Sequence, residues 1–469
     1  MRVLENTEPK KVFSFFEDIC GIPHGSGDTK KISDYCVAFA KERNLTVFQD
    51  EFNNVIIKKP ATKGYENHPS VILQGHLDMV CEKLPELDFD FLSDPLNIKT
   101  DGEYVFAEGT TLGGDDGIAV AMALSILDSN DIPHPAIEAV FTTDEETGMD
   151  GAIGLDTSVL DSRMLINIDS EDEGVLTAGC AGGARAEIEL PFSKTETPDK
   201  CYKIVLSGLL GGHSGVEIDK GRHNSNKLLA LFLSTLPDLR LCSISGGLKD
   251  NAIPAQSECI VSASGDFRAL ADEFLNANFL PSDPNVSITI CETEPQAAAS
   301  LEGSKRAIDL LCALPNGIIS MSEDISYLVE TSLNLGILTT EDNKIHASFS
   351  VRSAKAKEKA TLLEKLEKIA NNFGASYSSH SHYPAWEYRK DSPLRDKMCA
   401  VFKDMYGKEA EVVIIHAGLE CGLFGDKIDG LDAVSIGPDM QDIHTPRERL
   451  SIASTKRTYE YLCEILKNL

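Results

Sequence analysis

The chain has 469 residues, with 74 Asp+Glu against 44 Lys+Arg and a formal net charge of −30 at pH 7. At about 150 residues per domain this length calls for two or three domains, and the acidic balance excludes electrostatic binding to nucleic acid or to an anionic membrane. Hydrophobic residues make up 42 %, a globular value, so the acidity sits on a folding protein.

The N-terminal stretch has no basic end followed by an apolar core, and no apolar run approaches the roughly 18 residues of a membrane helix, so a cytoplasmic protein without secretory signal is expected. Twelve cysteines are scattered with no C-x-x-C, which reads as reduced thiols. Strand-like runs at 70–74, 136–142 and 164–168 alternate with a helical pattern starting at Gly117. Such alternation predicts an α/β sheet covered by helices. The small, glycine-rich run T-A-G-C-A-G-G-A at 177–184 marks a domain crossing. Beyond it the texture changes: a strand at 203–207, a helix at 224–236, a strand at 259–264, then a similar order in 318–351 and a charged helix at 354–373, which suggests an internal duplication. Runs at 412–415 and 433–436 again look like buried strands of the first domain. The expected division is a catalytic domain in two parts, 1–183 and 387–469, with an inserted α+β lid domain at 184–386.

Five segments share one design, an apolar run ending in an acid or a histidine. They end at His76 and Asp78, at Asp115 and Asp116, at Glu145 and Glu146, at Asp169, and at His444 before Thr445-Pro446. Ligands of open α/β sheets bind beyond the carboxyl ends of the strands, so the five endings can converge. Two histidines with several carboxylates form a nitrogen and oxygen donor set that suits Zn²⁺, Mn²⁺ or Co²⁺ better than Ca²⁺ or Mg²⁺. Taken singly, each has a bland reading. His76-x-Asp78 is a satisfied histidine beside a solvated acid, Glu145-Glu146 an exposed turn, Asp115 or Asp116 a helix cap, Asp169 part of an acidic loop, and His444 a loop histidine. Their joint occurrence in this order argues against five coincidences.

In that order, together with Ile22-Pro-His24, Thr110-Thr-Leu-Gly-Gly-Asp115-Asp-Gly117, Gly179-Cys-Ala-Gly-Gly183, Gly211-Gly-His213-Ser-Gly215, Asn251-Ala-Ile-Pro254 and His416-Ala-Gly-Leu-Glu-Cys-Gly422, the chain resembles the di-zinc aminoacylase and carboxypeptidase-like metallopeptidases. Within them it resembles the Xaa-His (aminoacyl-histidine) dipeptidases. It departs from them at Asp116, where such relatives usually have Asn. The resemblance implies a catalytic domain with a mixed, largely parallel sheet flanked by helices, carrying the inserted lid.

It also implies a role for each residue. Asp115 would bridge two divalent ions, most simply zinc, with His76 and Asp169 completing one site and Glu146 and His444 the other; manganese and cobalt share these ligands. Asp78 would hold the other nitrogen of the His76 ring. Glu145 would be the general base for a water shared by the ions. The Asp115–Asp116 peptide would be cis. His213 would stabilise the oxyanion, Asn251 and Arg352 would bind substrate, Arg352 through its carboxylate, and Glu420 would meet the α-amino group or be a buried structural acid. Hinges near 179–183 and 383–386 would let the insertion close. The expected activity is hydrolysis of unblocked dipeptides, with Xaa-His substrates favoured. The alternatives are deacylation of N-acylated amino acids, and a metal- or peptide-binding homologue without catalysis. Relatives often dimerise through the inserted domain, and a duplicated insertion could replace that partner, so a homodimer and His213 acting across it stay open.

Overall fold

The computed structural model describes residues 2–264, 267–277, 281–323, 325 and 327–469. It divides into two compact units, Met1–Gly179 with Tyr388–Ile414 and Leu419–Leu469, and Cys180–Glu387 with Ile415–Gly418. Among the described residues, no helix is long and apolar enough to cross a membrane.

The first unit is built on an eight-stranded sheet in the order Thr46–Gln49, Val55–Lys59, Ile137–Thr142, Val71–His76, Met164–Asn167, Asp432–Ser435, Val175–Cys180, Glu411–Ile415. The four strands from Ile137–Thr142 to Asp432–Ser435 run parallel. Strands covered on both faces carry continuous apolar runs, and every residue of Val71–His76 and of Ile137–Thr142 is buried. The helix Gly114–Asp128 packs on Val71–His76 and on the helix Lys10–Cys20; its apolar residues are buried around its whole circumference. His76 stands opposite Thr142, and Asn167 opposite both Gln74 and Ser435. The parallel strands therefore finish at one edge of the sheet, where α/β proteins place their ligands.

The second unit holds a nine-stranded sheet whose main path is Ser287–Thr293, Cys201–Ser207, Ser257–Ser262, Arg240–Gly246, Val329–Thr340, Lys344–Ser353, Gly182–Pro191, Ser376–Tyr383, with Gly317–Met321 pairing Val329–Thr340. It consists of two βαββαβ halves. In one, Cys201–Ser207 is followed by helix Ser225–Ser234, two strands, helix Phe267–Ala277 and Ser287–Thr293. In the other, Gly182–Pro191 is completed by helix Leu301–Ala313, two strands, helix Ala356–Asn372 and Ser376–Tyr383. Each half orders its strands fourth, first, third, second, and the halves meet through their second strands at Gly246 and Leu338. The insertion is thus duplicated, but the repeat differs from the one read at 318–351: one copy is nested inside the other. Alternation places Ala186, Ile188 and Leu190 in the core beneath the helices, while Arg185, Glu187 and Glu189 take the opposite face. The segments entering and leaving the unit pair with each other, Cys180 N donating to Trp386 O at 2.9 Å and Trp386 N to Cys180 O at 3.1 Å.

Candidate metal and catalytic centre

His76 is the last residue of its strand, and Asp115 lies in the first turn of the helix Gly114–Asp128, where its φ and ψ are not helical. The Asp115–Asp116 peptide is cis, as the resemblance implies. Asp115 is shared between two imidazoles: Oδ1 lies 3.0 Å from His76 Nε2, and Oδ2 lies 3.0 Å from His444 Nε2. Around His76, Asp169 Oδ1 lies 3.6 Å from Nε2. Around His444, Glu146 Oε1 lies 3.0 Å from Nε2. The structure thus brings all five sequence-predicted metal ligands into two clusters that meet at Asp115.

The donor set fits divalent cations. The single Nε2–H of His444 serves Asp115, and Glu146 Oε1 is left buried with no hydrogen-bond partner. A buried anionic oxygen without a donor calls for a cation. Asp115, Glu146 and His444 offer ligand atoms within 4.8 Å of one another. Burial raises Asp169 to about 6, aided by the charges of Asp115 and Glu146. Burial opposes charge on Asp115, yet the hydrogen bonds from His444 and His76 hold it below the usual carboxylate range. Burial also disfavours charge on His444, but its carboxylate partners push it up to about 11. Histidines that share protons so strongly with acids mark a place where a dication can take the proton's position.

Glu145 begins the short helix Glu145–Gly148 beside Glu146. Burial raises its pKa well above the usual value, and the charges of Asp169, Glu420 and Glu146 add to the shift. A carboxylate tuned upward in this way can both take and return a proton near neutral pH.

The His76 ring meets Asp78 through both its main chain and its carboxylate. The Nδ1–H of His76 donates to the main-chain carbonyl of Asp78 at 2.9 Å, and the carboxylate stands 3.6 Å away. That carboxylate also accepts the main-chain N–H of Glu145 at 3.1 Å, the N–H of Glu146 at 3.3 Å and the hydroxyl of Ser26 at 2.8 Å. It seats the turn that carries Glu145 and Glu146. Asp116 has a structural task too: its Oδ2 accepts the main-chain N–H of His76 at 3.1 Å, an acceptor duty that an Asn oxygen also meets. Burial raises its pKa well above the usual value.

Glu420 is fully buried, its Oε2 accepting from Gln74 Nε2 and Thr142 Oγ1, both at 2.6 Å. Burial pushes it up to about 7.

His213, Asn251 and Arg352 belong to the second unit. His213 Nδ1 accepts the main-chain N–H groups of Gly215 and Val216, both at 3.2 Å, so the neutral ring carries its proton on Nε2. Burial and the nearby Arg352 charge lower its pKa, which keeps it neutral. Arg352 is buried, with NH1 on the Tyr383 hydroxyl at 3.2 Å and Nε unpartnered. The Asn251 carbonyl accepts Ser214 N at 2.8 Å, which ties its loop to the His213 turn. Ser26 and Glu448 were invisible to sequence reasoning. Ser26 sits in a small-residue loop, and Glu448 in the charged run Arg447-Glu-Arg449, which reads as solvated surface.

Residues 72–468 match the profile of peptidase family M20/M25/M40. The cytosol non-specific dipeptidase of Escherichia coli (strain K12) is 37 % identical over 482 aligned positions, covering 100 % of this chain and 99 % of that protein. The crystal structure of an aminoacylhistidine dipeptidase from Vibrio alginolyticus superposes with a TM-score of 0.91 at 36 % identity, covering 99 % of this chain and 97 % of that one. An aminopeptidase from Bacillus cereus shares the fold, with a TM-score of 0.58 at 14 % identity over 98 % of this chain and 99 % of that one.

Proposed function

The chain belongs to peptidase family M20/M25/M40, and we propose that it is a dipeptidase acting on unblocked dipeptides, Xaa-His among them. The observation that carries this is the Asp115 carboxylate shared by His76 and His444, with Asp169 and Glu146 alongside. These five residues would hold two zinc ions, and manganese or cobalt suits the same donors. Divalent ions in such a pair polarise the scissile carbonyl and make water a nucleophile at neutral pH.

Glu145 takes the proton of the attacking water and returns it to the departing amine. Asp78 and Ser26 hold the main chain of Glu145 and Glu146, so base and ligand keep one fixed offset. His213 presents Nε2–H as a neutral donor to the developing oxyanion. Arg352, with an unpartnered buried Nε, binds the substrate's free carboxylate, and Asn251 contributes to the same recognition. Glu420 is kept from substrate by its burial and serves as the anchor of Gln74 and Thr142, which favours the structural of its two readings. We place the protein in the cytoplasm on its similarity to a cytosolic relative. The duplicated insertion supports a chain that needs no partner to complete its lid, and a homodimer is the alternative to test by light scattering.

The two similar dipeptidases carry different substrate names, so the experiment is a panel. Purified protein with defined zinc, manganese or cobalt is given Gly-His, β-Ala-His, other dipeptides and N-acetyl-His. Metal-dependent hydrolysis of dipeptides with N-acetyl-His untouched is expected. Turnover of N-acetyl-His above the dipeptides would make the protein a deacylase, and tight metal binding with no hydrolysis would make it a binding protein.

A further inference from the structure

The loop Leu112–Gly114, which delivers Asp115, ends in a cradle of main-chain donors. Gly113 has φ +67° and ψ 33°, the left-handed conformation that turns successive N–H groups toward one point. That point is filled by the carboxylate of Glu448, 3 % exposed. Oε2 accepts Leu112 N at 2.8 Å and Gly113 N at 3.3 Å, and Oε1 accepts Gly114 N at 2.8 Å. Neither glycine leaves free room for a side chain. A Cβ on Gly114 would meet Glu448 Oε1 at 3.2 Å, and one on Gly113 would meet Met79 Sδ at 2.9 Å.

Glu448 is also bound to the other half of the centre. Its own N–H donates to Thr445 O at 3.1 Å, closing the turn that follows His444. The adjoining strand Arg449–Ser451 pairs with Tyr104–Ala107 and with Met440–Gln441. One residue therefore grips the loop before Asp115 by its side chain and the turn after His444 by its backbone.

We propose that Glu448 is a positioning residue that sets the separation of Asp115 from His444, and through it the geometry of the site formed by Asp115, Glu146 and His444. The proposal rests on the reading of those residues as metal ligands. Three hydrogen bonds to one side chain fix the loop that leads into Asp115 in translation and rotation, which a single bond would not. Residues that orient metal ligands typically weaken metal binding by about 10–100-fold when removed.

The test uses the full chain stripped of metal and titrated with Zn²⁺ against a chromophoric chelator, then with Co²⁺ followed by visible absorption. The variants are Glu448→Ala, Glu448→Gln and Gly114→Ala; the last keeps the acid and displaces it by the added methyl. Parent protein is expected to bind two ions. Glu448→Ala is expected to weaken the more weakly held ion by at least tenfold and to alter the cobalt bands, with Glu448→Gln and Gly114→Ala intermediate. Two ions bound with parent affinity and parent cobalt bands in folded Glu448→Gln and Gly114→Ala would overturn the proposal, whatever their thermal stability. Failure of the parent itself to bind two ions would instead overturn the functional reading on which it rests.

Discussion

Asp78→Asn separates two accounts of the same carboxylate. Asp78 is 1 % exposed and takes three donors, the N–H groups of Glu145 and Glu146 and the Ser26 hydroxyl, while the His76 ring is held by the Asp78 main-chain carbonyl. Asn is isosteric but offers one oxygen, and its amide N–H₂ would face one of the two turn N–H groups. One hydrogen bond to a charged acceptor, about 1.5–3 kcal/mol, is lost, and a partly buried donor is stranded at a further cost of about 1–3 kcal/mol. A displacement of the Glu145 turn worth about 2–4 kcal/mol corresponds to about a 30- to 1,000-fold loss in kcat/KM. The main-chain carbonyl of residue 78 survives the change, so the ion bound through His76 should keep its affinity within about threefold. Steady-state kinetics at saturating metal and chelator competition on the same preparation read both quantities. A tenfold or larger loss of metal with kcat within twofold of parent would refute this account and return the carboxylate to the imidazole.

Metal binding should release protons. In the metal-free protein burial disfavours charge on His76 and His444, but bonds to carboxylates raise both, His444 to about 11. At pH 7 each incoming ion therefore displaces a proton, and metal affinity should fall as pH falls; calorimetry in buffers of different ionisation enthalpy should report about two protons per two ions, and none would contradict it. Glu138, 3 % exposed, is opposed by burial but is held below its ordinary value by Lys58 at 2.7 Å and by the N–H groups of Asp161 and Ser162. A depressed acid contributes stability above its unfolded pKa of about 4.3 and loses it as pH falls through the folded value, so Glu138→Gln should lower the urea midpoint at pH 6, and the gap to parent should narrow as the pH falls below the unfolded value. His213 should show an unprotonated Nδ1 and a midpoint below that of an ordinary histidine in ¹⁵N-histidine spectra assigned by His213→Gln; a midpoint at or above the ordinary value would exclude a preset neutral donor.

The proposed ligand set was legible because four of its members lie at or just beyond a strand end or in the first turn of a helix, and motif order adds His444, which lies in a turn. The second unit was less so. Gly182–Pro191 is separated from Leu301–Ala313, its own helix, by the whole of the other repeat. A duplication whose copies are nested leaves no fixed period along the chain, which is why only a blurred echo was visible at 318–351. Support by main-chain donors was not legible at all. The pattern His76-x-Asp78 shows that an acid is near, but whether its carboxylate or its carbonyl meets the imidazole depends on a turn 67 residues further on.

That hidden support also changes the meaning of the acidity. A charge of −30 suggests a solvated anionic surface, but several of the acids are interior acceptors for loop N–H groups. Asp78 holds Glu145 and Glu146, Glu448 holds 112–114, Glu138 holds 161–162, Asp283 holds Leu210 and His223, and Asp432 holds Leu394. Each of these five is buried. Loops that present ligands cannot satisfy their own N–H groups with a ladder, and an acid accepts two or three of them at once where a neutral side chain accepts fewer. Two of the five acids, Asp78 and Glu448, also add negative charge beside His76 and Asp115, and cations at the centre would relieve it. Scaffold and chemistry therefore favour the same composition, and the acids found by position are joined by others that hold those positions in place.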